Sequence, residues 1–513
     1  MKLLLGIDLG TSGIKTVLLT PEGQIAGSGS CELCLSTPRP GFAEQNPGEW
    51  WEACCTAVRQ AAASVTGRPE VVGIGISGQM LGSVLLDRAG AVIEDCIIWM
   101  DQRAQEELAR VETIIGREEL LRRTANYPLV SYWAPKLLWL RKHRPATYAK
   151  IDKVLFPKDY LKFKLTGVHD IDVTDATGSM LFDTARRAWD WELFDQLSLP
   201  RSFVPKTASE STAVIGSLRA DAAERLGLLP GIPVVAGGGD QMCGAVGLGV
   251  VREGVLSSTI GTSGCVFSYS SCCITDQKPR AALSYCHSVP DAWCVYGCTL
   301  AAGGAYKWLR DCFFDKKHVT LNTSGQPAYR VMDELAVQAR PGSEGLLFLP
   351  YLSGERTPHP DPAARGVFFG LSARHGISEI CRSVLEGVAY SLRDTVEILR
   401  EYHVPVDEVR AAGGGAASPL WLQLQADIFD AHIAVTNVAE APAVGAAILA
   451  GVGAGLFDSV PQAADKIVRV VRMVEPERRN VPLYADYYET YRALYPALQD
   501  LFSSQAGKVG RWT

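Results

Sequence analysis

The chain has 513 residues, 47% of them hydrophobic, and carries 50 basic against 56 acidic side chains for a formal charge of −6. That length favours two domains over one core, and the charge balance supplies no basic footprint for nucleic acid or an anionic membrane. No window reaches transmembrane length and the apolar run Met1 to Leu5 is too short for a secretory signal, so the fourteen cysteines are expected to be reduced thiols in a cytoplasmic protein.

The opening stretch LLLGIDLGTSGIKTVLL predicts two apolar strands, Leu3 to Ile7 and Ile14 to Leu19, around a Gly10-Thr11-Ser12-Gly13 turn. Asp8 stands at the end of the first strand, where a carboxylate needs hydrogen-bond donors or a cation. An acid bonded to its own turn and an acid serving a site both fit at this point. C-E-L-C at Cys31 to Cys34 has zinc or redox spacing, but no second pair follows, and the interleaved Leu33 and Leu35 predict an alternating strand. GISGQMLGSVLLD predicts a strand ending in Gly78-Gln79-Met80-Leu81. Gln79 suits sugar hydroxyls or a turn bonding its own backbone. IIWMDQR brings Trp99, Asp101 and Arg103 to another strand end, with Trp99 as a sugar-stacking ring or a core-edge residue.

IPVVAGGGDQMCGAVGLG then predicts a strand, an A-G-G-G turn and a helix with Asp240 at its mouth. GVLSSTIGTSGCVFS repeats the opening design, and VRAAGGGAASPLWLQLQADIF repeats the A-G-G-G turn. Between them, LPYLSGERTPHPDP is expected to be a surface loop with a Glu355–Arg356 pair. The order GTSG, AGGG, GTSG, AGGG predicts two α/β halves without a flexible linker, meeting near Gly247 to Glu253 around a ligand cleft. The expected division is 1–247, 248–490 and a tail, 491–513. Aligning the repeats sets Asp8 against Thr259 and Asp240 against Ala416, so both acids belong to the first half.

Glycine-rich turns with free backbone N–H groups, backed by the hydroxyls of Thr11, Ser12, Thr262 and Ser263, suit phosphate oxygens, and Lys15 adds charge. Neither G-x-x-x-x-G-K-[ST] nor a dinucleotide fingerprint is present. With a nucleotide in the cleft, Asp8 is a candidate for holding Mg²⁺ and Asp240 for taking the proton of an incoming hydroxyl. That pairing is what phosphoryl transfer requires. The histidines have no metal-ligand spacing.

The ordered set GIDLGTSGIK, FAEQNPGEWW, APKLLWL, LFPKDYLKFKLTG, VVAGGGDQMCGAVG, IGTSG, LPYLSGERTPH, GVFFGL and AAGGGAAS resembles the FGGY family of carbohydrate kinases, up to about Tyr491. The resemblance implies a duplicated, actin-like (ribonuclease-H-like) α/β fold with ATP, Mg²⁺ and a sugar meeting in the cleft. It implies Asp240 as catalytic base and Asp8 as the acid near phosphates and metal, with Thr11, Ser12 and Lys15 beside them. Gly261 and Thr262 would hold phosphates, and Gly413, Gly414, Gly415 and Ser418 the adenosine end. Gln79, Met80, Leu81, Trp99 and Gln241 would face the sugar. Two positions depart from the family: Leu81 stands where histidine is usual, and Gln241 where asparagine is common. The expected activity is phosphorylation of a terminal hydroxyl of a small ketose such as D-xylulose. The alternatives are another ketose, a deoxyketose, a polyol or an aldonate, or a sugar-independent actin-like ATPase. A homodimer is compatible with the sequence without being specified by it.

Overall fold

The computed structural model describes residues 2–67, 69–280, 282–314 and 327–509. In the first half, β1 (Lys2–Leu9), β2 (Gly13–Leu19) and β3 (Ile25–Glu32) form an antiparallel meander. Helix α1 (Pro47–Ala63) follows, started by Asn46, whose side chain accepts from the Gly48 N–H, and by Pro47 in the first turn. It carries the chain to β4 (Glu70–Gly78), parallel to β1. Helices α2 (Trp133–His143), α3 (Pro157–Thr166) and α4 (Val173–Thr177) precede β5 (Val214–Ser217), β6 (Pro233–Val235) and α5 (Asp240–Leu248). The strand order is β5-β6-β4-β1-β2-β3, with Gly238–Gly239 paired alongside β4. Strands covered on both faces explain the nearly unbroken apolar run of β1.

The second half repeats the plan with β7 (Gly254–Ile260), β8 (Gly264–Ser270), β9 (Leu283–Cys286), β10 (Trp293–Thr299), α6 (Gly303–Phe313), α7 (Ala328–Gln338), α8 (Ile377–Glu401), β11 (Val406–Ala412), α9 (Pro419–Phe429), β12 (His432–Thr436), α10 (Ala441–Gly453) and β13 (Val470–Val474). Its order is β9-β10-β8-β7-β11-β12-β13. Thus β7 and β8 stand where β1 and β2 stand, β11 where β4 does, and β12 where β6 does. The expected duplicated actin-like architecture is present.

Three expectations need correction. First, the two A-G-G-G turns are not equivalent: Gly413–Gly415 follows β11, the counterpart of β4, whereas Asp240 opens the helix after β6. The topological counterpart of Asp240 is therefore Ala441, which opens α10, and not Ala416. The second copy still lacks an acid there, and the adjacent Glu440 bonds Lys15.

Second, α10 belongs by sequence to the second half but packs on the first half's sheet and crosses α5. Backbones nearly touch at that crossing. A Cβ on Gly247 would lie 1.9 Å from the Ala441 carbonyl oxygen, and one on Gly445 1.8 Å from that of Cys243, so neither position admits a side chain. Third, the residues after Tyr491 form no separate tail. A single helix, α11 (Val481–Val509), buries Tyr484, Tyr488 and Tyr491 against α8, and the Tyr488 hydroxyl donates to Asp394 at 2.6 Å.

Strand β3 stops at Glu32 and leaves Cys34 and Leu35 exposed, so the alternating pattern ends inside C-E-L-C. All fourteen cysteines are free thiols. Among the described residues no helix is long and apolar enough to cross a membrane.

Candidate active site

Asp8 and Asp240 face one another across the end of the first sheet. Asp8 is the next to last residue of β1, opposite Ser77 of β4, whose hydroxyl donates to Asp8 Oδ1 at 2.9 Å. Burial raises the Asp8 carboxyl to about 6, against the lowering effects of Ser77 and Lys15. Asp240 is the first residue of α5, and both acids are half-buried. Burial, reinforced by the negative charge of Asp8, raises Asp240 to about 7.

The loop that delivers Asp240 is gripped by a buried ionic network. Lys158 Nζ lies 2.5 Å from Asp159, 2.6 Å from Asp172 and 3.2 Å from Asp175, all shielded from solvent. The Thr174 hydroxyl donates to Asp172 at 2.6 Å and accepts from the Gly239 N–H at 2.9 Å. Lys162 adds a bond to the Ala236 carbonyl at 3.0 Å and pairs with Asp159 and Asp170. Burial works against the Lys158 charge, but the three carboxylates overcome it and hold the ammonium well above its usual range. Asp159, Asp172 and Asp175 are close enough to share a cation, and Lys158 fills that role.

Beside the Asp8 strand end, Gln79 is almost fully buried and ties three segments together. Its Nε2 donates to Gln45 at 2.7 Å, and its Oε1 accepts from the Thr11 hydroxyl at 3.3 Å. Trp99 donates its indole N–H to that same hydroxyl at 2.9 Å and leaves 37% of its surface exposed. Both hydrogen-bonding roles of the Thr11 hydroxyl are thus taken up by Gln79 and Trp99. Gln241 is exposed beside Asp240, with Nε2 3.5 Å from the Asp240 carboxylate.

Met80 is buried, and Leu81 is half-buried with a left-handed φ of 70°, uncommon for leucine. Lys136, fully buried, donates to the carbonyl of Leu81 at 2.9 Å and to those of Ile97 at 3.3 Å and Ile98 at 3.1 Å, joining the Leu81 turn to the strand end carrying Trp99. Asp101 and Arg103 form a buried pair that Glu44 completes.

The second half contributes a cavity of its own. A cavity of about 730 Å³ is lined by Gly261 and Thr262, by Gly303 and Gly304 at the start of α6, and by Gly414, Gly415 and Ser418 ahead of α9. Tyr306, Tyr329 and Trp421 supply its aromatic walls. The Gly303 N–H bonds the Gly261 carbonyl at 2.8 Å and the Gly304 N–H that of Thr262 at 2.9 Å, so the turn is fastened to a helix start. Gly413, with φ of 75°, passes so close to β7 that a Cβ would lie 2.5 Å from the Ile260 carbonyl. Ser418 caps α9 by accepting from the Trp421 N–H at 3.2 Å.

The structure brings together the expected residues of each wall and alters two readings. Lys15 is not a free phosphate-facing charge here, because Glu440 pairs with it at 2.9 Å. Glu355 is not half of a surface pair with Arg356: it is buried, accepting from Thr299 Oγ1 at 2.6 Å, Leu300 N at 3.0 Å and Arg356 N at 2.7 Å, and burial raises it to about 7. The polar run S-G-E-R-T-P-H concealed this, since the Thr299 and Leu300 groups that bind Glu355 come from the end of β10 and the residue after it. Sequence reading also missed Lys136, Lys158, Thr174, Gly303 and Gly304. A lysine inside the apolar helical runs APKLLWL and LFPKDYL, and A-A-G-G before a helix, were the available signals.

Comparison with known proteins places these walls in context. Residues 3–247 match the model of the N-terminal domain of the FGGY family of carbohydrate kinases, and residues 256–454 that of its C-terminal domain. The chain is 36% identical to a xylulose kinase of Staphylococcus epidermidis over 98% of both chains. It is 34% identical to the crystal structure of a xyloylose kinase from Brucella ovis, with a TM-score of 0.88 over 97% of this chain and 100% of that one. A gluconate kinase structure from Lactobacillus acidophilus has a TM-score of 0.90 over 98% of this chain and 99% of the other at 24% identity, a likeness of fold alone.

Proposed function

The chain belongs to the FGGY family of carbohydrate kinases, and from that premise we propose that it transfers the γ-phosphoryl group of ATP to a terminal hydroxyl of an open-chain ketose, D-xylulose first among them. It is an ATP-dependent sugar kinase. The observation that carries the acid–base assignment is Asp240: a carboxyl at a helix start, in the cleft, with its ionisation raised to about 7 by burial and by Asp8. A base with that ionisation is half available at neutral pH and strong enough to accept a hydroxyl proton as the new O–P bond forms. ADP then leaves with the electron pair of the broken bond. A coupled assay of ADP release over ketoses, polyols and aldonates tests the reading. ADP release indifferent to every sugar would overturn it.

The residues around Asp8 suit Mg²⁺. Its carboxylate spends one oxygen on Ser77, and its nearest cation, Lys15, is already paired with Glu440. An oxygen donor of this kind is what Mg²⁺ takes, and the ion would neutralise charge on the phosphoryl oxygens. Asp8 would hold or orient the ion, while the Gly261–Thr262 turn, fastened to the start of α6 by the Gly303 and Gly304 N–H groups, would lie against the phosphates. Asp8→Ala is expected to shift the Mg²⁺ activation curve to higher concentration and to lower kcat strongly, with sugar binding little changed. Titration of Mg²⁺ at saturating ATP and sugar measures this, and a curve overlaying wild type at full rate would leave Asp8 a turn residue only.

Leu81 favours a second reading of the acceptor. An apolar side chain here cannot bond a sugar hydroxyl, and an unpaired hydroxyl costs about 1–3 kcal/mol. If xylulose is the acceptor, Leu81→His lowers its KM. If the acceptor bears a bare carbon at that place, as a deoxyketose does, the same substitution harms it. The measurement is kcat/KM for D-xylulose and 1-deoxyxylulose with both proteins. An unchanged ratio would show that Leu81 does not read the sugar.

A further inference from the structure

We propose that Cys265 and Cys298 are a redox modification site: a hydroperoxide converts them to a reversible cross-strand disulfide that switches off phosphoryl transfer. Cys265 is the second residue of β8, Cys298 the next to last of β10, and the two stand directly opposite in register. The backbone of Cys298 turns its hydrogen bonds the other way. Its N–H donates to Thr357 Oγ1 at 3.1 Å and its carbonyl accepts from the Thr357 N–H at 3.0 Å. Because both groups of a strand residue point to one side, Cys265 and Cys298 form a non-hydrogen-bonded pair, whose Cα atoms lie about 4.5 Å apart. That separation sits at the short end of the range a disulfide spans.

The pair is also reachable and polarised. Side chains alternate along a strand, so Cys265, Phe267 and Tyr269 share with Cys294, Tyr296 and Cys298 the face turned toward the first half. Within that group the two thiols nearest the cleft, Cys265 and Cys298, are half-buried, whereas Cys294 is shielded from solvent. A hydrogen bond from Cys265, aided by the Arg356 guanidinium, holds the Cys298 thiol below its usual range, while the same bond and burial push Cys265 up. The negative charge of Asp240 acts on Cys265 as well, which places the pair beside the proposed base. A thiol favoured as thiolate next to a second thiol is the arrangement of a reactive and a resolving cysteine.

The chemistry balances with a hydroperoxide as the two-electron oxidant. The Cys298 thiolate attacks the peroxide oxygen, the O–O bond breaks, and the leaving oxygen takes a proton as alcohol, or as water from hydrogen peroxide. Cys265 then attacks the sulfenic sulfur, the S–S bond forms, and a second water leaves. The bridge acts on the site through its neighbours. Cys265 follows Gly264, which closes the Gly261–Gly264 turn, and Cys298 precedes Thr299 and Leu300, which hold Glu355. A disulfide at the short end of that range leaves little slack, so closing it shifts both strand ends, and its half-buried sulfurs stay open to a reductant.

The test uses the full-length protein treated with hydrogen peroxide, then alkylated under denaturing conditions and mapped by peptide mass spectrometry. The expected result is a Cys265–Cys298 cross-linked peptide, loss of at least tenfold in sugar kinase rate, and recovery of both thiols and rate with dithiothreitol. Cys265→Ser keeps its basal rate and loses the reversible inhibition. Only the activity arm rests on the kinase reading; the peptide map stands apart from it. Oxidation confined to the exposed Cys34, Cys272 and Cys312, over-oxidation of Cys298 without a bridge, or a bridge that leaves the rate intact would each overturn the proposal.

Discussion

Asp240→Asn is expected to lower sugar phosphorylation by about 10²–10⁴-fold while ATP still binds. The amide keeps the shape of the carboxyl and its place at the start of α5, so positioning losses are small and the missing function is proton acceptance. The pH profile distinguishes this from a mere defect in geometry. In the wild type, burial and Asp8 raise Asp240 to about 7, so kcat/KM increases as pH rises through that value and the base becomes ionised. Asp240→Asn loses that limb altogether. Asp8 contributes to the raised value, so Asp8→Asn moves the wild-type limb to lower pH. Turnover of Asp240→Asn within a few-fold of wild type, with the limb intact, would remove Asp240 from the mechanism.

Lys158→Met is expected to destabilise the fold by about 3–5 kcal/mol, the cost of leaving buried charge without its partner. Methionine fills much of the same volume, so cavity formation contributes little. The loss comes chiefly from Asp172, which keeps no cation, since Lys162 reaches only Asp159 and Asp170. Asp175 contributes less, because burial and the neighbouring Asp172 already push its carboxyl well above the usual range toward the neutral form. Equilibrium denaturation measures the change. Activity of the folded fraction should fall too, because Asp172 orients the Thr174 hydroxyl that holds Gly239 immediately before Asp240. A loss of stability below about 1 kcal/mol would show that the network is solvated or differently protonated.

These two residues were not equally legible in the chain. Asp240 was visible because it breaks a glycine-rich turn between an apolar strand and a helix, and Asp8 because it interrupts an apolar run. The hairpins around both G-T-S-G turns were visible for the same local reason: period, turn chemistry and chain direction all lie within about fifteen residues. From such signals the sequence by itself determined two duplicated α/β halves, the acids in the first, and the glycine-rich turns in both.

Tertiary structure decided what depends on partners distant in sequence. The two A-G-G-G turns read alike, yet one follows β11 and the other β6, because strand order is set by crossovers and not by the turn itself. Glu355 reads as a surface acid, and Thr299 and Leu300, more than fifty residues earlier, make it a buried acceptor. Lys136 and Lys158 passed unread inside helical runs, and carbonyls and carboxylates from other segments account for their burial. A buried charge is stable only with partners, and the sequence shows the charge while the fold alone supplies the partners.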